Sequence, residues 1–201
     1  MPRQPLERSG GFCGFGAARL RYALAMRGRQ AGFTLIETMV TLAVIAILAT
    51  IALPSFMGES RKNKASSEVQ PMFNDLRIRL EQFLQEKGSY PATIGEGTLH
   101  PGGPLGTTKQ AINPLPDAWN AIKVRISGSD HVSCGYTWAT GKANDPDNNI
   151  GTEATAFGFT APTTDWYYLL AKCNMDGDPA LFSFYFASSV DPVIRVRNEG
   201  S

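Results

Sequence analysis

Gly32-Phe33-Thr34-Leu35-Ile36-Glu37 opens a stretch whose continuation, residues 38–57, carries no charge. About 20 apolar residues suffice for a helix to cross a hydrocarbon core, so the run is long enough to span a bilayer. Its one ionisable group is Glu37, four residues after Phe33 and at the edge of the run. A charged side chain in hydrocarbon costs about 2.5–3.5 kcal/mol on insertion scales, which makes such an acid a functional candidate in need of a partner.

The flanks orient the run. Residues 1–32 carry six arginines against one glutamate (+5), leaving 13 basic and 17 acidic residues after them (−4). A basic flank before an apolar helix stays on the cytoplasmic side, so the part after the helix is exported. Its mildly acidic balance gives no clear place for nucleic acid. Residues 1–32 read as a targeting leader rather than as structure. Met26 is a second candidate start, with 26–32 a basic leader by itself and the first 25 residues a gene-start artefact. Ala49 and Ala52 mimic a secretory cleavage site poorly, because Thr50 and Ile51 surround them.

Cys13 lies in the leader, so the exported part keeps an even pair, Cys134 and Cys173. Outside the cytoplasm such a pair is usually oxidised, and closing a loop of this size stabilises a fold by about 4 kcal/mol in the chain-entropy model. Two buried thiols or a zinc pair are the alternatives, and neither a CxxC spacing nor a histidine partner favours metal.

From residue 33 to about 86 the chain reads as one long helix of roughly 80 Å at about 1.5 Å per residue, too long for a small domain, so that half must protrude. Residues 33–57 are apolar all round, as in a membrane or filament-core helix. Residues 58–87 are amphipathic: Val69, Met72, Phe73, Leu76, Leu80, Phe83 and Leu84 share a face. Lys87-Gly88 is a stop signal. Pro54 removes a donor near the end of the apolar run, and Pro71 either bends the second half or divides it into two helices. Residues 88–117, rich in Gly and Pro, read as an ordered loop. Strand-like runs follow at 122–126, 132–140, 154–160, 166–173 and 181–189, with 193–197 a further edge strand. The expected class is α+β: a long N-terminal helix packed on one face of an antiparallel sheet of about four to five strands, residues 88–201 forming the loop-and-sheet domain.

Gly32-Phe33-Thr34-Leu35-Ile36-Glu37, the apolar continuation and Pro54 resemble the N-terminus of type IV pilins and their secretion-system relatives, the pseudopilins. Glu86-Lys87-Gly88-Ser89-Tyr90-Pro91 resembles the segment by which many pilins leave the long helix. The resemblance implies cleavage between Gly32 and Phe33 by a prepilin peptidase, N-methylation of Phe33, a wait in the inner membrane, and polymerisation by the pilus assembly machinery with other copies of the chain into a surface filament. It implies that Glu37 meets the terminal amine of a neighbouring subunit, since an ammonium and a carboxylate each costly alone offset one another in a low-dielectric core. It also implies that the helix loosens at Pro54. Adhesion, twitching motility and DNA uptake are roles such filaments serve. The alternatives are a type II secretion pseudopilin and, from another class, a signal-anchored periplasmic binding domain that never polymerises.

Asn174, Asp176 and Asp178 alternate around Gly177 like the opening of a calcium loop, and some pseudopilins bind calcium in their C-terminal loops. A twelve-residue loop would need Glu where Tyr185 stands, so a polar turn is the plainer reading, as it is for residues 145–149. Arg61, Lys62 and Lys64 follow the apolar half; a solvated face is the default, lipid headgroups or an acidic neighbour the alternatives. His100 and His131 have no partner spacing. There is no nucleophile elbow, metalloprotease helix or phosphate-cradling loop, and no cofactor is implied. Nothing points to an enzyme.

Overall fold

The computed structural model describes residues 32–125, 129–144 and 150–199. In chain order the elements are α1 (Leu35–Lys87), β1 (Gln110–Ala111), α2 (Asp117–Ala121), β2 (His131–Val132), β3 (Cys134–Gly141), α3 (Thr152–Ala156), β4 (Trp166–Cys173), β5 (Ser183–Ser188) and β6 (Arg195–Arg197). The leader up to residue 31, and with it Met26 and Cys13, lies outside the described residues. The chain divides at Ile45 and Ala46 into two units. In the first, the described residues comprise 32–34 and the start of α1, all exposed.

In the second unit, Ala65, Val69, Met72, Phe73, Leu76 and Leu80 are the buried residues of α1. Their 3.6-residue spacing puts them on one stripe, which packs against Tyr136, Trp138, Leu169, Ala171 and Tyr185 of the sheet. Burying each large apolar side chain contributes about 1.5–3 kcal/mol. The helix stops where expected. Gly88 has φ 75°, a left-handed conformation that glycine adopts without a Cβ penalty, and its N–H closes on the Leu84 carbonyl at 2.7 Å.

Pro71 does not divide α1, which runs through both prolines. The carbonyl that Pro71 leaves without a donor belongs to Ser67, four residues back, and Ser67 is exposed to solvent.

The main sheet is an antiparallel meander in the order β3-β4-β5-β6, and β1 with β2 forms a separate pair. Strands β3, β4 and β5 are buried almost throughout rather than at alternate positions. The cause is a second apolar layer. Ala139, Trp166, Tyr168, Leu170, Phe184 and Phe186 face away from α1 and pack with Ala154 and Phe159.

That layer adds a covering to the face of the sheet turned from α1, and it corrects the strand expected at 154–160, where the chain instead forms α3 and turns back to lay Phe159 on the sheet. The helix wins because its N-terminus is satisfied from afar: the Glu96 carboxylate accepts the N–H groups of Glu153 and Ala154, both at 2.8 Å, and the Tyr168 hydroxyl donates to it at 3.2 Å. A Cβ on Gly151 would collide with that carboxylate.

Residues 122–125 are likewise not a strand. Asp117–Ala121 is helical, Trp119 is fully buried against Trp138, and Lys123 has φ 55°. Ile126 and the turn expected at 145–149 lie outside the described residues. Within the expected loop, β1 pairs with β2.

Candidate assembly segment

The first turn of α1 is built by its own sequence. Thr34 stands just before the helix, and its Oγ1 accepts the Glu37 N–H at 3.2 Å. This is the N-cap arrangement of a Thr-x-x-Glu box, with the acid at the position where it complements the positive end of the helix dipole. Glu37 is exposed and in no ion pair among the described residues. Phe33, just before the capping Thr34, is 77% exposed. A Cβ at Gly32 would meet nothing within 4 Å.

Behind this turn, every large hydrophobic residue from Phe33 to Met57 is at least half exposed. A continuous apolar surface of this kind marks a contact with lipid or protein. The segment belongs to α1, among the described residues the one helix long and apolar enough to cross a membrane. Its polar side chains are already satisfied: Thr38, Thr41 and Thr50 donate their hydroxyls to the carbonyls three residues back, at 2.8, 2.9 and 2.7 Å. Hydroxyls bonded within the helix lower the cost of placing it away from water. Pro54 sits within the same helix and leaves the carbonyl of Thr50, an exposed residue, without its backbone donor.

In the second unit, sequence reasoning missed the residue that fastens α1 to the sheet. The Glu68 carboxylate accepts the N–H groups of Ser133 (2.9 and 3.0 Å) and Cys134 (2.9 Å) and the Tyr136 hydroxyl (3.0 Å). Burial first, and then the Glu68 charge, hold the Tyr136 hydroxyl well above its ordinary pKa. A lone glutamate on an amphipathic helix carries no signal of partners 65 residues away. Beside it, Cys134 and Cys173 face each other across β3 and β4 with Cα atoms 4.3 Å apart and form a disulfide.

The calcium candidates are engaged by backbone. Asn174 Oδ1 accepts the Gly177 N–H at 2.7 Å, Asp176 Oδ1 that of Asp178 at 3.0 Å, and Asp178 Oδ1 that of Ala180 at 2.9 Å. These are the bonds of a tight polar turn. Among the described residues no group of three or more His, Cys, Asp or Glu side chains is placed to hold a metal ion. His100 serves the fold: its Nε2 lies 2.7 Å from the Ile112 carbonyl and its ring packs by Trp119. Lys62 pairs with Glu59 at 3.3 Å, whereas Arg61 and Lys64 turn to a groove of about 610 Å³ shared with Lys109, Arg125 and His131.

Residues 27–53 match the family described as the prokaryotic N-terminal methylation motif. Over 123 residues the chain is 36% identical to the type IV major fimbrial protein FimA of Dichelobacter nodosus, covering 60% of this chain and 74% of that protein. Over 138 residues it is 30% identical to the type II secretion system core protein G of Dickeya chrysanthemi, covering 63% of this chain and 88% of the relative. The core protein G of Escherichia coli K12 is 29% identical over 136 residues, again with 88% of it covered. No solved structure matches.

Proposed function

Because the chain belongs to the type IV pilin and pseudopilin family, we propose that it is a structural subunit of a pilus-like filament, cut between Gly32 and Phe33 by a prepilin peptidase, methylated on Phe33 and polymerised through α1. The observation that carries this reading is the capped helix start at Thr34 followed by an apolar surface exposed as far as Met57. The exposed surface is matched to lipid while the subunit waits in the inner membrane and to the helices of other copies afterwards.

Cutting after Gly32 creates an ammonium on Phe33. Helices sliding past one another in an apolar core have few registers to choose between. An ammonium and the Glu37 carboxylate select the register in which they meet, since each is costly if left unpaired. Substituting Glu37 by Ala leaves the cleavage site intact and is expected to yield a mature-length subunit that fails to enter filaments. Filaments of normal length and abundance from that variant would overturn the registry role.

A second reading, the pseudopilin of a type II secretion system, is favoured by the 88% coverage of core protein G. Deleting the gene separates the two. Loss of sheared surface fibres supports the pilus; loss of enzyme secretion with fibres intact supports the pseudopilus.

A further inference from the structure

Beyond the apolar run, α1 forms one wall of a groove whose other wall comes from Thr107, Lys109, Arg125, Ser129 and His131–Ser133. Met72 and Val132 are its buried apolar members, and Phe56 and Met57 line the end nearest the apolar run. Four cations line it: Arg61, Lys64, Lys109 and Arg125. None of them is in an ion pair among the described residues. Its two carboxylates are already occupied. Glu68 holds the N–H groups of Ser133 and Cys134, and Asp75 holds the Arg125 N–H at 3.0 Å and pairs with Arg79 at 3.5 Å. The groove therefore combines apolar side chains with four cations whose charge its two carboxylates, held by other partners, do not pair.

We propose that this groove holds the headgroup of an anionic phospholipid while the subunit is anchored in the membrane, the phosphodiester lying among Arg61, Lys64, Lys109 and Arg125 and the glycerol end over Phe56 and Met57. The position on α1 fits this occupant. A headgroup layer is about 5–7 Å deep on each side of the hydrocarbon. Arg61 and Lys64 follow Met57 by about 6 and 10 Å of helix rise, within reach of long basic side chains that lean back toward phosphates. The proposal rests on the membrane-anchored stage of the function above and adds to it a lipid preference built into the exported domain.

The full-length chain is inserted into bilayer nanodiscs of phosphatidylcholine alone or mixed with phosphatidylglycerol, and lipid retained on extraction is measured by native mass spectrometry. Wild type should retain phosphatidylglycerol in preference. A basic side chain near an anionic surface contributes about a five-fold factor. R61Q/K64Q and K109Q/R125Q should therefore each lose roughly 25-fold in that preference, while K62Q, outside the groove, loses no more than five-fold. An intact disulfide and unchanged circular dichroism show that the variants are folded. Equal retention of the two lipids, or double variants behaving as wild type, overturns the site. So does glycerol phosphate competing as well as the lipid, which would make it a simple anion site, or self-association through the groove that the variants abolish, which would assign it to a second copy. A chain that enters both bilayers without preference overturns the headgroup site and leaves the filament reading standing. A chain that enters neither overturns both.

Discussion

The Glu68 carboxylate of α1 accepts the backbone N–H of Cys134 at 2.9 Å, so the long helix is fastened at the half-cystine that joins β3 to β4. The same carboxylate takes the Ser133 N–H and the Tyr136 hydroxyl. A force transmitted along α1 thus reaches the sheet through polar bonds as well as through the apolar stripe of Val69, Phe73, Leu76 and Leu80.

Replacing Glu68 by Ala leaves three donors without an acceptor. Each unsatisfied donor that stays buried costs about 1–3 kcal/mol, and partial access of water reduces the sum, so the expected loss is about 2–3 kcal/mol. In a domain of this size that lowers Tm by roughly 4–12 °C, readable by circular dichroism. Glu68→Gln keeps one oxygen and should lose about half as much.

Removing the disulfide with the pair Cys134→Ser and Cys173→Ser opens a link between residues 39 apart in sequence. The expected destabilisation is about 4 kcal/mol in the chain-entropy model. Urea midpoints of the oxidised protein, the reduced protein and the double variant check it, the latter two falling together.

Stability should fall in alkali. Burial pushes the hydroxyls of Tyr90, Tyr136, Tyr167 and Tyr168 above their ordinary value of 10.0, and that of Tyr185 up to about 12. In each case the folded state holds its proton more tightly than the unfolded chain. The contribution is fully present below pH 10.0 and is lost as pH rises from there through the folded values. Urea unfolding between neutral pH and pH 12 should show a flat region followed by a decline. Tyr136→Phe, which removes one of these groups, should make the decline shallower.

Gly32→Leu should block maturation, because a peptidase that cuts at Gly32–Phe33 must accept the small residue before the bond. Only precursor-length chain is expected on a gel, and a mature-length band would count against cleavage there.

Much of the fold follows from local patterns. The stripe on α1 repeats at the helical period, Gly88 marks the helix stop, and β3, β4 and β5 show as short runs rich in aromatic and β-branched residues bounded by turn residues. The face of β3–β5 turned from α1 was not legible, because a strand buried on both sides has no alternation to read. Residues 154–160 look strand-like for their aromatic and small apolar content, yet Glu96, some 57 residues upstream, supplies the acceptors that make a short helix the better choice.

The sequence by itself determined the candidate assembly segment: a Gly-Phe junction, a Thr cap with Glu37 three residues on, and an apolar run are all set by neighbours within a few turns of one helix. Only the tertiary structure decided that Glu68 would fasten α1 to the disulfide strand, that Glu96 would cap α3, and that Arg61 and Lys64 would share a groove with Lys109 and Arg125. A carboxylate finds backbone donors, and cations find one another's company, only after the chain between them has closed, and no residue spacing records where that closure falls.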